Sequence, residues 1–166
     1  SEFIKKNNSN LVYTWLYELR ENKLIIGKKI PNYLKYYDFF LLNPGSIVSN
    51  LVVNKNIFNQ MLGFDENTNP PYDKDFIIRY LFSHKSYHVY RKPLVIFRNH
   101  NFKKESLNYH SLYKGYINLY NKHENRINLF IKLLLKLKIN YFYYVTQKNT
   151  FMIIIITILQ KIINLF

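Results

Sequence analysis

Two carboxylates stand at the head of an apolar run. In Tyr72-Asp73-Lys74-Asp75, followed by Phe76, Ile77, Tyr80 and Leu81, the spacing predicts a helix that opens near Asp73. A helix N-terminus carries partial positive charge and unsatisfied N–H groups, so a carboxylate there is stabilised and held in a fixed place. Beside an open loop, such a group can take a proton from a substrate. It serves equally well as a plain cap, a position that favours Asp. Arg79, one turn on, is most simply an ion-pair partner for the carboxylates. Upstream, Gly63-Phe64-Asp65 reads as a turn in which Gly63 supplies a positive φ. Pro70-Pro71 breaks the chain before the helix.

Other chemistries lack their residues. The absence of Cys excludes a disulfide framework, a Cys-ligated zinc and a thiol nucleophile. Asp65-Glu66-Asn67-Thr68-Asn69 begins like a calcium loop, but Pro70 stands where Gly is needed and Phe76 where the closing Glu belongs. His84 and His88 lie four apart without the Glu of the zinc-protease pattern. The four glycines are isolated and build no phosphate-cradling loop, and no Ser-His-Asp spacing stands out.

Three segments in order carry a resemblance. LVVNKNIFNQMLGFDE, Leu51 to Glu66, is followed by YDKDFIIR, Tyr72 to Arg79, and then by YHVYRKPLVIFRNH, Tyr87 to His100. Upstream lies NLVYTWLYELRENKLIIGKK. This order resembles the C-terminal half of family 2 glycosyltransferases, inverting enzymes with a nucleotide-sugar-binding GT-A fold. They show a strand, a "GGFDE" segment, an "ED-x-D-hydrophobic-x-x-R" helix start and a "Y-x-V…PL-x-x-x-R-x-H" segment, after a hairpin that follows an Asp-x-Asp. The resemblance covers roughly residues 1–110. Two departures stand out: Tyr72 replaces the Glu of the Glu-Asp pair, and the half that holds the Asp-x-Asp is absent. With Ser1 at its start, the chain reads as a fragment or truncated product.

The resemblance implies an α/β fold, the C-terminal part of a GT-A domain, with a mixed sheet, flanking helices and a helical tail. Residues 1–110 would be the acceptor-side half, and residues 111–166 a basic, apolar helical extension. The implied activity moves a sugar from a nucleotide-sugar donor to a glycan or lipid-linked acceptor, as in bacterial surface polysaccharide synthesis. Asp73 aligns with the catalytic base, while Gly63, Phe64, Asp65 and Tyr72 would face the acceptor. Asp75, Arg79 and Arg98 would support the site. His100 would be a metal ligand, since first-row divalent ions accept imidazole beside carboxylate and phosphate oxygens; a surface-loop histidine is the simpler reading of the residue alone. The complete enzyme would use Mn²⁺ or Mg²⁺, which this piece would not hold firmly by itself.

Several elements must position these residues. Alternation from Leu11 to Leu16 predicts a strand, Glu21-Asn22-Lys23 a turn, and Leu24 to Lys28 the returning strand. A short helix is expected over 33–42 and a buried strand over 47–53. Asn54 is placed to cap a helix through Met61 that Gly63 ends. The helix from Asp73 is expected to reach about Lys85, followed by short strands over 87–90 and 94–97. A helix over 105–121 carries Tyr109, Tyr113, Tyr116 and Tyr120 at three- and four-residue steps, a stripe that usually buries.

Length suits one domain with a real core. The composition is rich in aromatics, with 16 Tyr and 13 Phe, and the net charge is +14. Residues 101–166 hold ten Lys or Arg against Glu105 and Glu124. Such a surplus favours polyanions or an anionic membrane surface. No signal peptide is visible at the start, and the expected location is cytoplasmic or peripheral at the inner face of the membrane. The tail from 125 mixes Lys with large apolar residues, and its apolar run over 152–159 is too short to span a bilayer. It reads either as an interfacial helix or as a packed C-terminal helix. A competing class is therefore a non-enzymatic module for polyanions or membrane surfaces, although no recognised nucleic-acid motif supports specific nucleic-acid binding. An inactive remnant is the third reading.

Overall fold

The computed structural model describes residues 2–68, 70–84, 86–98 and 108–163. The elements in order are α1 (Glu2–Asn7), β1 (Leu11–Arg20), β2 (Lys23–Ile26), α2 (Tyr36–Leu41), β3 (Leu51–Val53), α3 (Lys55–Gln60), α4 (Tyr72–His84), β4 (His88–Arg98), α5 (Tyr109–His123), α6 (Leu129–Thr146) and α7 (Thr150–Ile163). The chain is α/β, with a mixed four-stranded sheet. It divides into two compact units, Ser1–Phe64 with Phe76–Phe102, and Asp65–Asp75 with Lys103–Phe166.

The first unit is built on β1. Leu11, Val12, Tyr13 and Thr14 are all buried, so both faces of this strand are covered. A strand has two hydrogen-bonding edges. The parallel partner β4 pairs over Val12 to Leu19 and so takes one edge. The antiparallel strands β3, against Leu11 to Tyr13, and β2, against Tyr17 to Arg20, share the other. The β1–β2 hairpin turns at Glu21 and Asn22, both at positive φ, as a tight turn demands.

Two strands expected over 87–90 and 94–97 are one. Pro93 falls opposite Trp15, and the register slips on both sides of that pair. Proline has no N–H to give to a ladder, and a bulge lets the strand pass it unbroken. The strand expected over 47–53 is shorter than its apolar pattern suggests. Val48–Asn50 is a 3-10 turn, and β3 begins at Leu51. The cause is Asn50, which is buried. Its amide donates to the Thr14 and Gly45 carbonyls at 2.9 and 3.1 Å and accepts from the Ile47 N–H at 2.9 Å. The helix expected from 33 starts at Tyr36, where Asp38 accepts the Lys35 N–H at 2.8 Å.

The second unit is helical. The α5 stripe packs on α6, with the Tyr116 and Phe142 rings 5.2 Å apart and those of Tyr113 and Tyr143 5.4 Å apart. Ile131, Leu135, Ile139 and Phe142 form the buried row of α6 at steps of four and three. Asn128 caps α6 through the Ile131 N–H at 2.9 Å. Lys148, at φ +53°, turns the chain, and Asn149 accepts the Met152 N–H at the start of α7.

Candidate functional site

The candidates fall in both units. In the first, Asn54 caps α3 by accepting the Asn56 N–H at 2.9 Å, and the helix runs out into Leu62 and Gly63, at φ +59° and +63°. Phe64 joins Phe58 and Phe76 in a triangle of rings 5.2 to 5.4 Å apart. Arg79 has a role that its helical spacing did not suggest. Its guanidinium donates to the carbonyls of Met61 and, at 2.6 Å, Gly63, and its carbon lies 5.5 Å from the centre of the Phe76 ring. It fastens the Gly63 turn to α4. Arg98 ends β4, exposed and opposite Leu19. His100 lies outside the described residues.

In the second unit, Asp65 folds its own loop. Its carboxylate accepts the Asn67 N–H at 2.9 Å, and its carbonyl accepts from the N–H and hydroxyl of Thr68. The head of α4 follows, where the Pro71 carbonyl accepts the N–H groups of Lys74 and Asp75. Residues two apart on a helix point about 200° apart. Asp73 and Asp75 consequently meet different surroundings.

Asp75 is fully buried. One of its oxygens lies 2.9 Å from His123 Nε2, and the other accepts from Lys122 Nζ at 3.0 Å. Lys122 also bridges to Asp65, and this contact holds the Asp65 carboxyl below the usual carboxylate range against the opposing effect of burial. The four side chains tie the 65–75 segment to the C-terminal turn of α5, where a helix end favours positive charge. Gly115 on the same helix sits so close to the segment that a Cβ there would lie 1.7 Å from the Pro70 carbonyl oxygen.

Asp73 is half-buried and accepts the Lys74 N–H at 2.9 Å. Burial raises its pKa, and the Lys74 charge and backbone hydrogen bonds offset this only in part. A carboxylate made more basic by desolvation is suited to accept a proton. Tyr72 beside it is half-buried. Lys74 donates to the Tyr116 hydroxyl at 3.1 Å, while the Lys138 ammonium lies 4.6 Å from the centre of the Tyr116 ring. Burial would raise the Tyr116 pKa, but the two lysine charges outweigh it and lower it. Desolvation, reinforced by the Lys74 charge, brings Lys138 down to about 8.

Lys122, His123 and Lys138, and the pairing of Tyr116 with Lys74 and Lys138, escape a reading of the sequence. A lone His and scattered Lys carry no spacing signal. The one hint is the basic pair Lys122-His123 in the last turn of a helix. Among the described residues, no three His, Cys, Asp or Glu gather where they could hold a metal ion. Comparison of the chain with protein-family models, curated proteins and solved structures gives no match.

Proposed function

We propose that this chain supplies the acceptor side and the catalytic base of an inverting glycosyl transfer. The observation that carries the reading is the division of labour between two carboxylates two residues apart. Asp75 is engaged by Lys122 and His123, whereas Asp73 is made more basic by desolvation at the helix head. A carboxyl whose surroundings raise its pKa is a candidate general base.

In the step assigned to Asp73, an acceptor hydroxyl oxygen attacks the anomeric carbon while the bond to the nucleoside diphosphate breaks on the opposite face. Asp73 takes the hydroxyl proton as the new glycosidic bond forms. The Asp75 cluster keeps the helix head in place, and Arg79 keeps the Gly63-Phe64 turn in shape. The described residues do not form a ligand set for Mn²⁺ or Mg²⁺, so the step assigned here is the proton transfer alone. The substrates on this reading are a nucleotide-sugar donor and a glycan or lipid-linked acceptor.

The test is Asp73→Asn in the reading frame that carries this chain. Transfer is followed as nucleoside diphosphate release from nucleotide sugars in the presence of acceptor, and donor binding by calorimetry. Transfer is expected to fall by two to four orders of magnitude, roughly the contribution of a general base, with donor binding unchanged. Equal transfer rates for variant and parent overturn the assignment.

A further inference from the structure

The α6–α7 pair leaves apolar side chains in solvent. On α7, Phe151, Ile154 and Ile158 are 72%, 54% and 51% exposed. Their spacing of three and four residues sets them in one row along the helix. On α6, Leu129, Phe130 and Leu133 are 82%, 59% and 55% exposed, on the side opposite the buried row. Lys161 follows Ile158 three residues on and is exposed, and Lys136, exposed three residues after Leu133, has its ammonium 5.4 Å from the centre of the Tyr120 ring. No acidic residue occurs from Asn125 to Phe166.

We propose that this face docks on an anionic lipid surface, with α7 lying in the interface plane. Three observations select the lipid. An apolar row flanked by lysines matches an interfacial helix, whose side chains enter the acyl boundary while the ammonium groups reach back to the headgroups. The charge is of one sign, so a second copy of the chain would bring lysine against lysine, whereas an anionic surface complements it. Over the described residues α7 spans 14, about 21 Å of helix, against a hydrocarbon core of about 30 Å. Among the described residues, no helix is long and apolar enough to cross.

The experiment is vesicle flotation of the 166-residue chain. The vesicles are phosphatidylcholine, alone or mixed with phosphatidylglycerol, at low and high salt. The protein is expected to float with the mixed vesicles, less so in high salt, and to stay behind with phosphatidylcholine alone. Phe151→Ser with Ile154→Ser should lower the partition coefficient on the order of a hundredfold, about tenfold per side chain. Lys136→Gln with Lys161→Gln should lower it about twenty-five-fold, about fivefold per charge. These sites are on the surface, and helix content by circular dichroism checks that each variant folds. No flotation with anionic vesicles overturns the proposal. So does flotation that the serine variant leaves unchanged, or a dimer in sedimentation equilibrium that the serine variant dissociates.

Discussion

Replacing Asp75 by Ala tests the division of labour at the head of α4 without any substrate. The side chain is fully buried, His123 is 2% exposed, and the Lys122 side chain is 32% exposed. Breaking a buried ion pair by removing one partner costs about 3–5 kcal/mol, because the other is left desolvated. The His123 contact is a buried hydrogen bond, and losing it costs about 1–3 kcal/mol. The Lys122 contact carries less, since water reaches the ammonium and Asp65 still holds it. The expected loss therefore lies at the low end, about 3 kcal/mol, which is a fall of about 1.5 M in the urea midpoint at a slope of about 2 kcal/mol per M. Asp75→Asn should lose less, since the amide keeps one acceptor oxygen. Asp73→Asn should behave oppositely: it removes a desolvated charge, so the midpoint should hold or rise at neutral pH. A double replacement of Asp75 and His123 by Ala should cost less than the two single losses together. A midpoint that Asp75→Ala leaves unchanged, or that Asp73→Asn lowers as far, would show that the carboxylates have been exchanged.

Gly115→Ala should destabilise by about 1–3 kcal/mol, toward the upper end, because its Cβ would meet the Pro70 carbonyl oxygen at 1.7 Å; an unchanged urea midpoint refutes that crossing. The Asp65 pKa is lowered in the folded state, first through its hydrogen bond from Lys122. Its stabilisation is thus present above the unfolded carboxylate pKa, about 4, and is lost as pH falls through the folded value. Urea midpoints of the parent should therefore fall more steeply on acidification below about pH 4 than those of Asp65→Asn. Identical slopes would remove the Lys122 bridge from the argument. On the proposed reading, in which this chain supplies the acceptor side and the base, the purified 166-residue chain incubated with Mn²⁺ and nucleotide sugars should release no nucleoside diphosphate above background, since charge on a leaving diphosphate needs a clamp on the donor side. Release would place the donor site within these residues.

Much of the local structure was legible in the sequence because it rests on neighbours within four residues. The β1–β2 hairpin follows from alternation over Leu11 to Leu16 and the turn at Glu21-Asn22-Lys23, and the α3 cap from Asn54 before its helix. The start of α4 follows from Pro70-Pro71 and two acidic residues ahead of an apolar run, and the α5 stripe from tyrosines at three- and four-residue steps. Each of these depends on spacing, which a sequence displays directly. The path of the chain decided the rest. Nothing near Pro93 says that a bulge opposite Trp15 carries β4 past it, and nothing near Asn50 says that its amide turns inward to Thr14, 36 residues away. Asp73 and Asp75 are near-equivalent in the sequence and become different groups because helix geometry points them apart, Asp75 toward residues far along the chain. Asp75 meets His123 across 48 positions, and Lys74 meets Tyr116 across 42. Burial and long-range charge set the protonation of a carboxylate, and both are properties of the folded chain.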